Sequence, residues 1–371
     1  MNFAGQWSTS FGVMNLRQDG ARVKGTYGRT GSENLIEGTL SPGGLMFQYE
    51  EPFEKGTGWF RLRRHNSFAG EYLAEGSMRP FPWQGWRDFD GLWDTPLGRL
   101  RLVQEGGRVR GCCEHGAAMT LEGRTEGGRL EFALTGPDFP GCGAFELDRL
   151  GLAVNGEWHA AGQPVRALDG RRVLPRQALT WLVVLEAHWQ RALDDSEYAF
   201  GHMLHELFAR VPRAWVRHRF YHDEESLLRW CRQLIFLVEP AILVITGHGE
   251  TTGLTVNGKL IELQKIIDNL HLADNLQLLH FSSCLVGQQA GRALGAAPFA
   301  ISGYTTSVDW AQSALTEFIY LDMMLEKGLR PANAAEQLLG LVRFAGTEEI
   351  PGSPYRPAGF CFIAPADEVS S

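Results

Sequence analysis

Cysteine is scarce, six in 371 residues. No two stand at the CxxC spacing of a structural zinc site, and so few in a chain this long make no disulfide framework. Cys112, Cys113 and His115 crowd together. Adjacent strand residues face opposite ways, so the two thiols are poorly placed to share a metal, and the cluster reads as structural. No metal is called for elsewhere. Long apolar runs are missing too. The best stretch, Leu234 to Ile245, is short and interrupted by Glu239 and Pro240, which excludes a membrane helix there. Basic excess is absent: 35 Lys and Arg face 43 Asp and Glu, for a net charge of -8. Replacing the counterions of a nucleic acid needs clustered cations, so a polyanion partner is not expected. The opening MNFAGQWSTS has no cationic stretch followed by an apolar core, so no secretory signal is expected. The expectation is a soluble, cytoplasmic protein with neither a membrane nor a nucleic-acid partner.

What is present is ordinary globular material, 44% apolar and 21% charged, enough to bury cores and too little biased to be disordered. The length implies more than one core. An internal duplication gives the first two. Gly5, Trp7, Thr9, Gly12, Met14, Leu16, Gln18, Gly20, Val23 and Gly25 recur 86 positions later as Gly91, Trp93, Thr95, Gly98, Leu100, Leu102, Gln104, Gly106, Val109 and Gly111. The register continues through Ile36-Glu37-Gly38 against Leu121-Glu122-Gly123, and Gly58, Phe60 and Leu62 against Gly143, Phe145 and Leu147. Within each copy apolar and polar residues alternate between Gly-rich turns, the mark of an antiparallel meander with one buried face. Such meanders close or pack to hide their edges. The sequence leaves open whether the copies form two barrels or share one sheet.

After the basic, turn-rich stretch Arg166 to Arg176, read as a linker, the period changes. Trp181 to Glu186, Trp215 to Tyr221, Ala241 to Thr246, Gln277 to Ser282 and Phe299 to Tyr304 read as buried strands. Glu224 to Val238, Glu262 to Leu272 and Ala311 to Glu326 read as amphipathic helices. Strands alternating with helices predict a largely parallel sheet covered on both faces, with ligands beyond the carboxyl ends of its strands. The domains are therefore 1–87 and 88–170, the two β repeats, and 171–371, an α/β sheet with helices on both faces.

Two strand ends carry chemistry. Ala241 to Thr246 runs into Gly247-His248-Gly249, and Gln277 to Ser282 into Ser283-Cys284. Either residue alone reads as an inert buried group. Together, at the same edge of a parallel sheet, they form a thiol nucleophile, Cys284, and an imidazole base, His248, that takes its proton. The amides of Gly249 and Cys284 are then candidates to hold the oxyanion.

The segments ILVITGHG and LLHFSSCLVG, followed by Phe299 to Tyr304, Ser307-Val308-Asp309 and a long helix, resemble the caspase-like clan of cysteine proteases over roughly Thr180 to Pro365. The likeness is to its CHAT and separase branch more than to animal caspases, whose Gln-Ala-Cys is replaced here by Ser282-Ser283-Cys284. It implies an endopeptidase with protein substrates, and Ser282 and Asp309 as substrate-binding residues, the latter favouring a basic residue before the cut. Glu186 is a further candidate for that pocket. Asp309 also fits as a helix N-cap, and both readings stand. His280, inside a strand, reads as structural, and His188 as a possible cleft residue without a motif.

Relatives in that clan are held inactive until signalled, and the short segment Leu285 to Pro298 argues against activation by cutting there. The β repeats become the candidate sensor, and the resemblance, taken to bacterial members of the clan, implies a nucleotide-type small molecule or a signal-producing partner enzyme as the signal, in antiviral defence or regulated cell death. Trp7 and Trp93 recur and read as architecture, whereas Trp59, Trp83 and Trp86 occur in one copy only and are the candidate ligand contacts. No cofactor is required by the sequence. The competing readings are a catalytically silent, CHAT-like interaction module and another Cys-dependent acyl hydrolase.

Overall fold

Period-two alternation folds the first repeat into eight antiparallel strands, β1 (Gly5–Thr9) to β8 (Phe81–Trp86), which meander in order and close into a barrel. The closure sets Ser8 opposite Trp86 and Thr9 opposite Gly85. The computed structural model describes residues 1–64, 66–114, 119–126, 128–136, 140–160, 163–176, 179–188, 199–288 and 297–365. The chain divides into two compact units, Met1–Ala178 and Leu179–Ser371. In the second repeat, β9 (Gly91–Thr95) to β15 (Ala153–His159) meander in the same way. Two short strands follow, β16 (Arg166–Ala167) and β17 (Gly170–Arg172). β17 pairs with both β15 and β9, so the pairings run in a second ring. There are two rings, and the stretch expected to be a linker supplies the final strands of the second.

The duplicated residues explain themselves as matched hydrogen bonds. The Trp7 indole donates to Phe3 O at 2.8 Å, and that of Trp93 to Phe89 O at 2.9 Å. The Gln18 and Gln104 side chains accept the amides of Phe3 and Phe89. Thr9 and Thr95 each close a turn on the carbonyl three residues on. Glycine recurs where a ring crosses the neighbouring strand: a Cβ on Gly58 would lie 2.4 Å from the Phe47 ring, and one on Gly143 2.7 Å from that of Phe132. Large rings lying over glycines let tightly curved strands fill a small barrel.

An arginine locks each ring where its ends meet. Arg87 stacks 4.5 Å over Trp7 and donates to Ala4 O and Asn66 Oδ1. Its counterpart Arg172 stacks 4.3 Å over Trp93 and donates to the carbonyls of Gly151, Asp90 and Asp88. Arg172 is buried, so replacing it with methionine keeps much of the volume but strands three carbonyls. The expected loss is about 3–5 kcal/mol. Thermal unfolding should show a clear fall in the melting temperature of the β unit for Arg172→Met. An unchanged transition would remove the lock.

The second unit is built on a six-stranded sheet. Its strands are β18 (Thr180–Ala187), β19 (Ala214–Tyr221), β20 (Ala241–Thr246), β24 (Leu276–Ser282), β25 (Ala300–Tyr304) and β26 (Phe360–Ile363). The order is β19-β18-β20-β24-β25-β26, parallel except for β26. Leu182, Val184, Ile242, Val244 and Leu278 share a core with the helices α1 (Phe200–Phe208), α4 (Trp310–Leu325) and α5 (Pro331–Leu341). The alternate residues Leu185, Leu243, Ile245, Leu279 and Phe281 are equally buried, so both faces of the sheet are covered, as continuous apolar strands require.

The strand and helix expectations are met within a few residues, with additions. α2 (Glu224–Gln233) begins at a capping box in which Asp223 and Ser226 exchange side-chain and backbone bonds. α3 (Leu263–Asp268) is shorter than its apolar period implies. Residues 248–262 form a small antiparallel sheet that the sequence did not announce: β21 (His248–Glu250), β22 (Gly253–Val256) and β23 (Lys259–Glu262). α1, α5 and β26 are likewise new. Within the segment from Leu285 to Pro298, residues 289–296 lie outside the described residues. Among the described residues, no helix is long and apolar enough to cross a membrane.

Candidate active site

The pairing of β20 with β24 brings the two strand ends that carry the chemical groups side by side. Thr246 is the register partner of Ser282 at the carboxyl end of these adjacent parallel strands. His248 and Cys284 each follow two residues later. The chain turns at Gly247, where a Cβ would lie 2.7 Å from the Tyr221 hydroxyl. That hydroxyl donates to Thr246 O at 3.0 Å and fixes the end of the strand. Burial pushes the Tyr221 phenol well above its ordinary range, so it stays a donor. Sequence reasoning missed Tyr221, whose place at the end of β19 was the available signal.

Past the turn, β21 carries exposed His248 at its start, held in register with Thr255 of β22. The next residue makes the closest approach: a Cβ on Gly249 would lie 2.1 Å from Cys284 O and 2.9 Å from Cys284 N. The Gly249 backbone therefore lies directly against that of Cys284, and only glycine fits. Ser283, just before the thiol, is buried, and among the described residues its hydroxyl has no hydrogen-bond partner.

Cys284 is half-buried. Its Sγ receives the Val308 amide at 3.4 Å and lies 3.9 Å from Ser307 Oγ. Leu285, immediately after it, takes a left-handed backbone with φ 63°, a strained state for a branched side chain and one that recurs at functional turns. The Leu285 amide donates to Thr306 O at 3.1 Å, so the loop after β25 grips both sides of the thiol. That loop is in turn tied down by Thr306 Oγ1, which donates to Ala358 O at 2.7 Å, and by the Thr305 amide, which donates to Gly359 O. The thiol also donates to Val308 O at 3.8 Å, so both the amide and the carbonyl of that residue face the sulfur.

The remaining candidates separate. Asp309 caps α4, its Oδ1 accepting the amides of Ala311 and Gln312 at 3.0 and 3.3 Å. The residue is nonetheless exposed, one position beyond Val308. Ser282 is half-buried at the end of β24. Glu186 does not open to solvent. Its carboxylate is fully buried, accepts the Phe200 and Gly201 amides at the start of α1, and pairs with His218 Nε2 at 2.9 Å. A helix N-terminus and an imidazole have taken the charge offered for a substrate pocket. His188 lies against the rings of Phe220 and His222.

In the β unit, Trp83 is enclosed by Phe11, Tyr27, Phe47, Tyr49, Phe60 and Tyr72, and Trp86 is buried as well. Both are core residues rather than surface contacts for a ligand. Trp59 is half-buried. Of the Cys112, Cys113 and His115 cluster, His115 lies outside the described residues. Cys113 is buried and donates to Leu97 O, and burial pushes the Cys112 thiol up to about 11. Among the described residues no cluster of three or more His, Cys, Asp or Glu could hold a metal.

No family model and no curated protein matches the sequence. The chain is similar to solved caspase structures over part of its length. Against caspase-1 from Spodoptera frugiperda the TM-score is 0.34 at 11% identity, over 50% of this chain and 88% of that one. Against a structure of pro-sf-caspase-1 it is 0.36 at 10% identity, over 50% of this chain and 91% of that one.

Proposed function

We propose that the second unit is a cysteine endopeptidase whose nucleophile is Cys284 and whose base is His248. The observation that carries this reading is the packing of Gly249 against Cys284 at the ends of two adjacent parallel strands. In the proposed reaction the Cys284 thiolate attacks the scissile carbonyl, while His248 holds the thiol proton. The amides of Gly249 and Cys284 receive the oxyanion. The C–N bond breaks as His248 returns the proton to the leaving amine, and water then hydrolyses the thioester. Ser282 lines the approach to the thiol.

The preference for a basic residue before the cut rests on Asp309. Its exposed position beside Val308 supports the pocket role, and its bonds to α4 support the capping role. Replacement by asparagine separates the two, because an amide oxygen still caps but carries no charge. Digestion of a peptide library, with the new termini read by mass spectrometry, is expected to show cuts after Arg and Lys. Asp309→Asn should reduce that preference roughly tenfold with an unchanged melting temperature, the scale of losing one charge-assisted contact. A parent that cuts after other residues, or a variant with the same preference, would leave Asp309 as a cap alone. No cleavage by the parent under any activating condition would defeat the protease reading.

Control by the β unit, through a nucleotide-type messenger or a partner protein and in the service of antiviral defence, belongs to the same proposal. Its support is the resemblance of Thr180 to Pro365 to proteases that need a signal. With Trp83 and Trp86 in the core, Trp59 is the remaining aromatic candidate for the contact.

A further inference from the structure

A polar cluster that the proposed chemistry does not use lies in the core behind Cys284. His280, Ser302, Tyr304 and Glu317 are all buried to 1% exposure or less. Glu317 Oε1 accepts the Tyr304 hydroxyl at 3.0 Å and lies 3.3 Å from His280 Nε2. His280 Nδ1 is 2.8 Å from Ser302 Oγ. The imidazole is packed among the rings of Tyr304, Tyr320 and Phe360. Burying a carboxylate and an imidazole in an apolar core is costly, and a well-packed apolar pair often serves stability as well or better. Fold stability alone is therefore a poor account of the cluster.

Its position supplies a better one. His280 is on β24, four residues before Cys284, Tyr304 is the last residue of β25, and Glu317 is on α4. Between Tyr304 and α4 lies the loop that delivers the Val308 amide to Cys284 Sγ and the Thr306 carbonyl to the Leu285 amide. The bond from Tyr304 to Glu317 spans the base of that loop, and His280, on the strand that ends at the thiol, lies within 3.3 Å of the same carboxylate without a hydrogen bond to it among the described residues. Burial, and then the charge of Glu317, raise the Tyr304 phenol well above its ordinary range, so the bond keeps its proton.

We propose that Tyr304, Glu317 and His280 form a positioning latch that holds the loop from Thr305 to Asp309, and with it the Val308 amide, against the Cys284 thiol. The inference deepens the reading of Cys284 as a nucleophile and rests on it. Released from the latch, the loop withdraws its N–H from the sulfur, so the direction of the sulfur is less fixed.

The test is the alkylation of the full-length chain by iodoacetamide, followed at Cys284 by mass spectrometry. Exposed Cys142, in the β unit, serves as the internal reference. Glu317→Gln is expected to lower the ratio of Cys284 to Cys142 alkylation roughly tenfold, as loss of the contact that positions the sulfur requires. Tyr304→Phe, which removes one oxygen and is the safer variant to fold, should lower the ratio about threefold by losing one hydrogen bond. The paired replacement His280→Leu with Glu317→Leu removes both ionisable groups at once, and the variant, shown to be folded by its cooperative thermal transition, should still show the low ratio.

Ratios within about twofold of the parent in both single variants, or a parental ratio in the folded double variant, would overturn the latch and leave a structural cluster. If the parent cleaves peptides, the variants should lose kcat with KM unchanged. If it cleaves none, the protease reading fails, while the alkylation ratio still decides the latch.

Discussion

Replacing Cys284 with alanine is expected to abolish peptide cleavage, by about a thousandfold or more, with no loss of melting temperature. The thiol makes the bond to the substrate carbonyl, and no other described thiol is positioned to substitute for it. Cys361, the nearest along the sheet, has its sulfur turned to the carbonyls of Gly303 and Gly287, and burial raises it above the ordinary thiol range. His248→Ala should cost nearly as much, because without the imidazole the amine leaves unprotonated. The two losses should not add. A nucleophile and its base act as a unit, so the double variant should match the worse single one. Matched kinetics of parent, singles and double on one peptide give the check. Full additivity would mean that His248 acts apart from Cys284. Residual cleavage by Cys284→Ala near the parental rate would remove the thiol from the mechanism.

The two strand ends that carry His248 and Cys284 were legible because the apolar character of these strands marks them as central and parallel, and such strands end at a common edge. The register of Thr246 with Ser282 sets those two strand ends side by side. Glu186 misled because a carboxylate at a strand end serves a substrate or a helix start equally well, and only the position of α1 decides between them. Trp83 and Trp86 misled for a related reason. Their absence from the second repeat looked like a special role, yet β8 fills its barrel where the second copy is closed by short β17. RALDGRR has no apolar alternation to announce a strand. Its strand character comes from the neighbours it bridges, and a reading of local pattern has no access to those. The latch stayed hidden because His280, Tyr304 and Glu317 stand far apart in the chain and each resembles an ordinary core or helix residue.

Gly249 is the position at which a single methyl group should have the largest effect short of removing the chemistry. The Cβ of an alanine there would stand 2.1 Å from Cys284 O, far inside contact distance, and the atom it meets is backbone, which cannot rotate away. Relief requires β21 to draw back from the end of β24, taking His248 with it. A displacement near 1 Å between reacting groups is worth about a hundredfold in rate, so Gly249→Ala should lose about that much in kcat. Stability should change little, because β21 is a three-residue edge strand that can move without opening the core. Gly247→Ala provides the contrast. Its methyl would meet the Tyr221 hydroxyl at 2.7 Å, a side-chain atom, and the added change Tyr221→Phe should return part of the lost activity. No such second change should rescue Gly249→Ala, since the obstructing atom belongs to the nucleophile's own peptide bond. A Gly249→Ala variant with parental kcat would mean that His248 and Cys284 work at a separation the backbone contact does not control.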